Sequence, residues 1–206
     1  PVNRNLSKEK YIGIDLGINN LASISSNSPG VKPFIVNGKI VKSINQYFNK
    51  KSSNLKRELK KNHNKYWSNR LSRLTLKREN QLHNYFHNSS KLIIDFCIKN
   101  DIGNIVIGYN PGWKNEVNLG KVFNQKFTQI PFKMLINQLK YKGELNDINV
   151  IETEESYTSK IDHLALETLG KQENYLGKRV KRGLFQSSTN KKLNADINGS
   201  IGILRK

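Results

Sequence analysis

The 206-residue sequence has a single cysteine, Cys97, which excludes an intrachain disulfide. The thiol sits in the apolar run Leu92-Ile93-Ile94-Asp95-Phe96-Cys97-Ile98, where a buried core role is expected. No apolar stretch reaches the roughly 18 residues of a membrane span, and neither a signal-peptide core nor a lipidation motif is present. A soluble, intracellular protein is expected. Acidic side chains are also scarce, with 16 Asp+Glu against 35 Lys+Arg, a net charge of +19. A field of that sign draws in polyanions, releases their counterions and discourages self-association, so nucleic acid is the leading partner and a monomer is expected. The chain opens at Pro1 without an initiator Met and runs almost directly into an apolar segment, so an upstream region is expected. Its length suits one α/β domain with insertions.

Between residues 43 and 100 neither Gly nor Pro occurs, and apolar residues return at helical spacing (Trp67, Leu71, Leu74; Leu82, Tyr85, Phe86). This predicts a helical hairpin over 43–102 with a break near Asn62 to Asn64. Residues 42–91 carry 13 Lys/Arg and only Glu58 and Glu79 as acids, so phosphate or RNA contact is expected of this face, against the plainer reading of a solvated helix surface. Upstream, Tyr11-Ile12-Gly13-Ile14-Asp15 and Leu21-Ala22-Ser23-Ile24-Ser25 flank a turn at Gly17-Ile18-Asn19-Asn20 and read as a strand hairpin. Pro33 to Val36, with Lys39-Ile40-Val41 beyond Asn37-Gly38, reads as a third strand or a further hairpin. Downstream come a strand at Asn104 to Ile107, a helix over about 129–142, a strand at Ile148 to Ile151, a polar basic tract over 156–193, and a last helix using Ile197, Ile201 and Leu204. The order fits a ribonuclease-H-like α/β fold, a mixed sheet with helices on both faces, over 11–206.

Asp15 ends an otherwise apolar strand, where a lone carboxylate is costly to desolvate without a cation or partner; the alternative is a turn-forming Asp before Gly17. A fold of this kind can bring such carboxylates together around two divalent ions and one phosphate. Four segments in order, Gly13-Ile14-Asp15-Leu16-Gly17, Glu155-Ser156-Tyr157-Thr158-Ser159-Lys160, Gly177 to Phe185 (GKRVKRGLF) and Asn194-Ala195-Asp196-Ile197-Asn198-Gly199, resemble the RuvC half of TnpB proteins. That resemblance implies a transposon-encoded endonuclease of the prokaryotic cytoplasm, directed to DNA by a guide RNA from the transposon end. It also implies a centre of two Mg²⁺ or Mn²⁺ ions, with Asp15 as first and Asp196 as last aspartate. The alternative for Asp196 is an N-terminal helix acid favoured by the dipole.

Two departures accompany the resemblance. The family's middle glutamate ends the strand before a long loop, but here that strand runs Ile105-Val106-Ile107-Gly108-Tyr109-Asn110. Glu152, Glu154 and Glu155 follow the neighbouring strand, and Glu155 is the expected replacement, an acidic surface turn being the alternative. Many relatives also carry paired Cys-x-x-Cys motifs before the last aspartate, whereas 156–193 has no cysteine, so a four-thiolate zinc site is excluded. His163 then reads as a surface residue. The cluster Lys178, Arg179, Lys181, Arg182 with Phe185 is expected to hold phosphates and offer an aromatic stack, and Trp113 with Lys114 to contact substrate, each against simple loop packing. Two other readings stand beside the nuclease: a guide-directed DNA-binding protein that does not cut, and an actin/Hsp70-like ATPase suggested by the first motif but lacking a second phosphate loop.

Overall fold

A computed structural model describes residues 2–110, 129–154 and 158–206. Five strands form one mixed sheet: β1 (Ser7–Leu16), β2 (Asn20–Ser26), β3 (Phe34–Asn37), β4 (Ile102–Gly108) and β5 (Asn149–Thr153), in the order β3-β2-β1-β4-β5. The first three are antiparallel, while β4 and β5 run parallel to β1. This is the mixed sheet the sequence order implied. Period-two alternation gives β1 two different faces. Ile12, Ile14 and Leu16 enter the main core, whereas Gly13 and Asp15 look to the other side.

The core face is covered by α2 (Asn69–Lys99) and α3 (Phe132–Leu145). Ser68 caps α2 by accepting from the Leu71 amide, and Leu82, Phe86, Ile93, Ile94 and Cys97 fill its buried stripe. Burial pushes the Cys97 thiol up to about 12, so the core reading of this cysteine holds. In α3 the buried residues Phe132, Leu135, Ile136 and Leu139 follow one helical face.

One expected strand is a helix. Lys39-Ile40-Val41 is the first turn of α1 (Lys39–His63), not a β-hairpin arm. Its start is set by Asn37, whose side chain accepts from the Lys39 amide at 2.9 Å, and by Gly38, buried against the Ile18–Asn19 backbone where a Cβ would overlap. Val41 then enters the core and Ile40 faces outward, an assignment that local β-propensity could not make. The hairpin breaks at Asn64, in the left-handed conformation, close to the expected place. None of the described helices is long and apolar enough to cross a membrane.

The other face of the sheet is covered by α4 (Ala195–Leu204). Before it lies a small antiparallel sheet, β6 (Lys178–Lys181), β7 (Leu184–Gln186) and β8 (Lys192–Asn194). Two of its residues differ from expectation. Phe185 is no exposed stacking platform: only 1% exposed, it packs over Gly177 as the centre of the module. His163 is no surface residue: at 2% exposure it lies between the Thr158 carbonyl (2.8 Å from Nε2) and the Arg205 guanidinium (3.0 Å from Nδ1). An Arg can only donate, so Nδ1 accepts and Nε2 carries the proton toward Thr158.

The module is held by buried carboxylates. Asp162 is fully buried, and Oδ2 accepts from the Ser187 hydroxyl (2.9 Å) and from the Ser188 amide (2.7 Å) and hydroxyl (3.0 Å). Its Oδ1 accepts from the Ala165 amide at 3.2 Å. Glu167 takes the Asp162 and Leu176 amides at 2.6 and 2.8 Å. Asn198 and Arg205 of the α4 region donate to the Ile161 and Glu167 carbonyls, which fastens the module to the helix.

Candidate active site

The site is built where α4 crosses the α4-facing side of β1. Gly13 has no side chain to hold the helix away, and a Cβ there would overlap the Ser200 carbonyl. Ser25, paired with Gly13 across β2, joins its hydroxyl to that of Ser200 at 2.6 Å. Two residues further along, Asp15 reaches Gly199, where an added Cβ would sit 2.5 Å from Oδ2. Gly199 therefore leaves room for the carboxylate, and Asp196 lies three positions earlier on the same helix, the spacing of neighbouring side chains. The two aspartates singled out in the sequence are brought to one end of α4.

Asp196 is fixed from two sides. Asn194 caps α4 by accepting from the Asp196 amide at 2.8 Å, which sets an acid in the first turn where the dipole favours it. Asn20 donates from Nδ2 to Asp196 Oδ2 at 2.7 Å. The pairing of β2 with β3 slips between Asn20 and Ala22, an irregularity of the kind that re-aims a side chain next to a site. Beside Asp15 in the β1–β2 register, the Ser23 hydroxyl is fully buried and has no hydrogen-bond partner among the described residues. An orphan of this kind costs roughly 1–3 kcal/mol unless something polar joins it.

Of the three glutamates at and after the end of β5, Glu152 has a definite place. Ile14, Ile107 and Glu152 share one row of the sheet, on the face opposite Asp15. Glu152 there accepts from Lys140 at 2.6 Å and Lys133 at 3.0 Å, both on α3. Partial burial opposes its ionisation, but these two ammonium groups outweigh it and hold the carboxyl below its ordinary value. Glu152 is thus committed elsewhere. On the Asp15 side the neighbouring row position of β4 is Gly108, paired with Thr153. Among the described residues no three His, Cys, Asp or Glu side chains come close enough to hold an ion. Glu155, Trp113 and Lys114 lie outside the described residues.

Asp196 opens into a cleft of about 720 Å³ that also carries Asn20, Lys39, Lys42, Arg179 and Arg182. Of the four basic residues singled out in the small sheet, Arg179 and Arg182 line this cleft, while Lys178 and Lys181 are exposed on β6 outside its lining. Asn20, Ser23, Gly199, Lys39 and Lys42 were not singled out from the sequence. A turn-flanking Asn, a strand Ser and a helical Gly carry no signal until the helix is docked.

The OrfB_IS605 family, described as a probable transposase, matches residues 2–114, more than half of the chain. The chain belongs to this TnpB-like family. In this OrfB_IS605 member, residues 132–203 also match the Cas12f1-like TNB domain. No curated protein matches it in sequence. Among solved structures, the Cas12f1-sgRNA-target DNA complex is similar at TM-score 0.68 and 22% identity, over 96% of this chain and 50% of that one. A CRISPR-Cas12f ternary complex is similar at 0.66 and 21%, over 98% and 40%. The mini-RNA-guided endonuclease CRISPR-Cas phi3 follows at 0.58 and 12%, over 95% and 44%. These likenesses show the RuvC-like fold, and the chain spans half or less of the structures it matches.

The Gly199 contact yields a direct test. Gly199→Ala puts a methyl group into the Asp15 carboxylate, so the close approach of α4 to β1 is expected to loosen at a cost of about 1–3 kcal/mol in stability. Urea unfolding of the variant beside the unaltered chain checks it.

Proposed function

We propose that this chain is the catalytic part of an RNA-guided, metal-dependent DNA endonuclease. The observation that carries the reading is the Asp15 carboxylate seated against Gly199, beside the orphaned Ser23 hydroxyl and within one helical turn of Asp196. Two acids from distant parts of the chain, next to an unsatisfied buried hydroxyl, suit a hard divalent cation with oxygen ligands. Asp15, Asp196 and Glu155 would hold two Mg²⁺ or Mn²⁺ ions. Glu155 is preferred because Glu152 is engaged by two lysines on the opposite face, and because position 155 is two residues beyond Thr153, the spacing at which an extended chain returns to one face. When bound, such ions lower the pKa of water and stabilise charge developing on a phosphodiester.

The chain's own contribution is binding and orientation. Asn20 and the Asn194 cap hold Asp196 in place, and Gly199 admits Asp15 to the helix surface. The net charge of +19 draws nucleic acid to the surface, and guide RNA and target DNA are the proposed partners, in keeping with the similar Cas12f1-sgRNA-target DNA complex. The absence of a carboxylate at Gly108 favours one rival, a guide-directed protein that binds DNA without cutting.

Glu155→Gln separates the two readings. Cutting is expected to fall at least about 100-fold if Glu155 is a ligand, while Glu152→Gln leaves it within about twofold because that carboxylate serves α3. Plasmid cleavage by the chain with RNA transcribed from the transposon end and Mg²⁺ supplies the measurement. No cutting by the unaltered protein would favour the binding-only reading, and full activity in Glu155→Gln would remove Glu155 from the site.

A further inference from the structure

Four cations ring the cleft that holds Asp196, and they come from two parts of the fold. Lys39 and Lys42 stand on the first turn of α1; Arg179 and Arg182 stand on the β6–β7 hairpin. Both banks are fixed from behind. The α1 start is tied to the β1–β2 turn by the Gly38 amide donating to the Asn19 carbonyl at 2.8 Å and by Lys42 Nζ donating to Asn19 Oδ1 at 2.8 Å. The hairpin is tied to α4 by the Ala195 amide donating to the Gly183 carbonyl at 3.1 Å. None of the four cations is ion-paired with a described carboxylate, and among the described residues Asp196 is the only acid lining the cleft.

Gathering four like charges round one cleft raises the free energy of the empty protein through their mutual repulsion. Fold stability does not explain such a cluster; an anionic occupant does. A volume of about 720 Å³ is that of a pocket for a small organic molecule, which here corresponds to one or two nucleotides of a single strand.

We propose that Lys39 and Lys42 form one jaw of a phosphate clamp, with Arg179 and Arg182 as the other, gripping the backbone on either side of the phosphate presented to Asp15 and Asp196. The assignment rests on the nuclease reading for its substrate, a DNA strand, but its test does not need cutting. The lysines act as point charges and set affinity, whereas the planar arginine forks fix the strand's register. The start of α1 and the small sheet are therefore both substrate-positioning elements.

The test uses the full chain and a fluorescein-labelled single-stranded oligodeoxynucleotide, with affinity followed by anisotropy over a range of KCl. In Lys39→Ala/Lys42→Ala the slope of log affinity against log salt is expected to shrink by about 1.4, near 0.7 for each lost phosphate contact on a single strand. Lys39→Ala alone, at an exposed position on a residue type helices favour, is expected to shrink it by about 0.7 and guards against misfolding of the double variant. Lys39→Arg/Lys42→Arg restores the slope. An unchanged slope in the double variant, or an equal loss in Lys60→Ala/Lys61→Ala further along α1, overturns the clamp. A reduced slope in a chain that never cuts supports the clamp and defeats the nuclease reading.

Discussion

Replacing Asp15 by alanine is expected to lower DNA cutting by at least about 10³-fold while leaving RNA and DNA affinity within about threefold. Asp15 lies with Gly13 on the α4-facing side of β1, and its carboxylate reaches the helix only because position 199 is glycine. Removing it takes away a proposed metal ligand and leaves Ser23 without the carboxylate that faces it in the β1–β2 register. The fold should tolerate the change, since Ile12, Ile14 and Leu16 on the opposite face carry the packing of β1 and are untouched. The loss of carboxylate removes one negative charge from a protein of net +19, so binding should not weaken. Cleavage and filter binding measured side by side decide the matter. Cutting that survives Asp15→Ala would remove the first aspartate from the proposed centre.

The second large effect is expected at Asp162, which has nothing to do with chemistry at phosphate. Asp162→Ala takes the acceptor from the Ser188 and Ala165 amides and the Ser188 hydroxyl, at a cost of roughly 3 kcal/mol to the small module, while Ser187 keeps its bond to Thr189. Arg179 and Arg182 ride on that module, so cutting should fall with it. Amide hydrogen exchange over residues 178–194 should accelerate, with α2 and α3 unaffected; equal protection in the variant would contradict the role given to Asp162.

The same network fixes a direction for pH. Burial alone would raise the Asp162 pKa, but the bonds from Ser188, Ser187 and Ala165 outweigh it and hold the carboxyl below its ordinary 3.8. Its stabilisation is complete above that value and is lost as pH falls through the lower folded value. His163 is lowered from its ordinary 6.5, chiefly by burial and further by the Arg205 guanidinium. Protonation would place a proton on Nδ1 facing Arg205, so its contribution is present above 6.5 and declines as pH falls below it. Protection factors over 178–194, which take out the intrinsic slowing of exchange toward acid, should therefore fall as pH drops below about 6.5, before Asp162 is protonated.

The sheet and the helical hairpin were legible, and Asp15 and Asp196 stood out as candidates, because each has a local cause. Period-two alternation marks β1, a long interval without Gly or Pro marks α1 and α2, and a strand-ending acid marks Asp15. The errors have a common source in tertiary contact. Lys39-Ile40-Val41 has the β-branched texture of a strand, yet Asn37 and the buried Gly38 start a helix there, which moves Lys39 and Lys42 to the mouth of the cleft. Phe185 and His163 sit in a polar, Gly-punctuated tract, and a module held by hydrogen-bonded carboxylates leaves no apolar periodicity to read. Asn20 reaches Asp196 across 176 positions of sequence, a separation no local pattern spans.

The central claim is that Asp15 and Asp196 share divalent ions with a third carboxylate supplied after β5. Crystals of the full chain soaked in Mn²⁺ and measured for anomalous scattering test it most directly. The account predicts manganese between Asp15 and Asp196, with Glu155 as the third protein ligand and Glu152 still held by Lys133 and Lys140. Manganese elsewhere, or a site completed by Glu152, would contradict it.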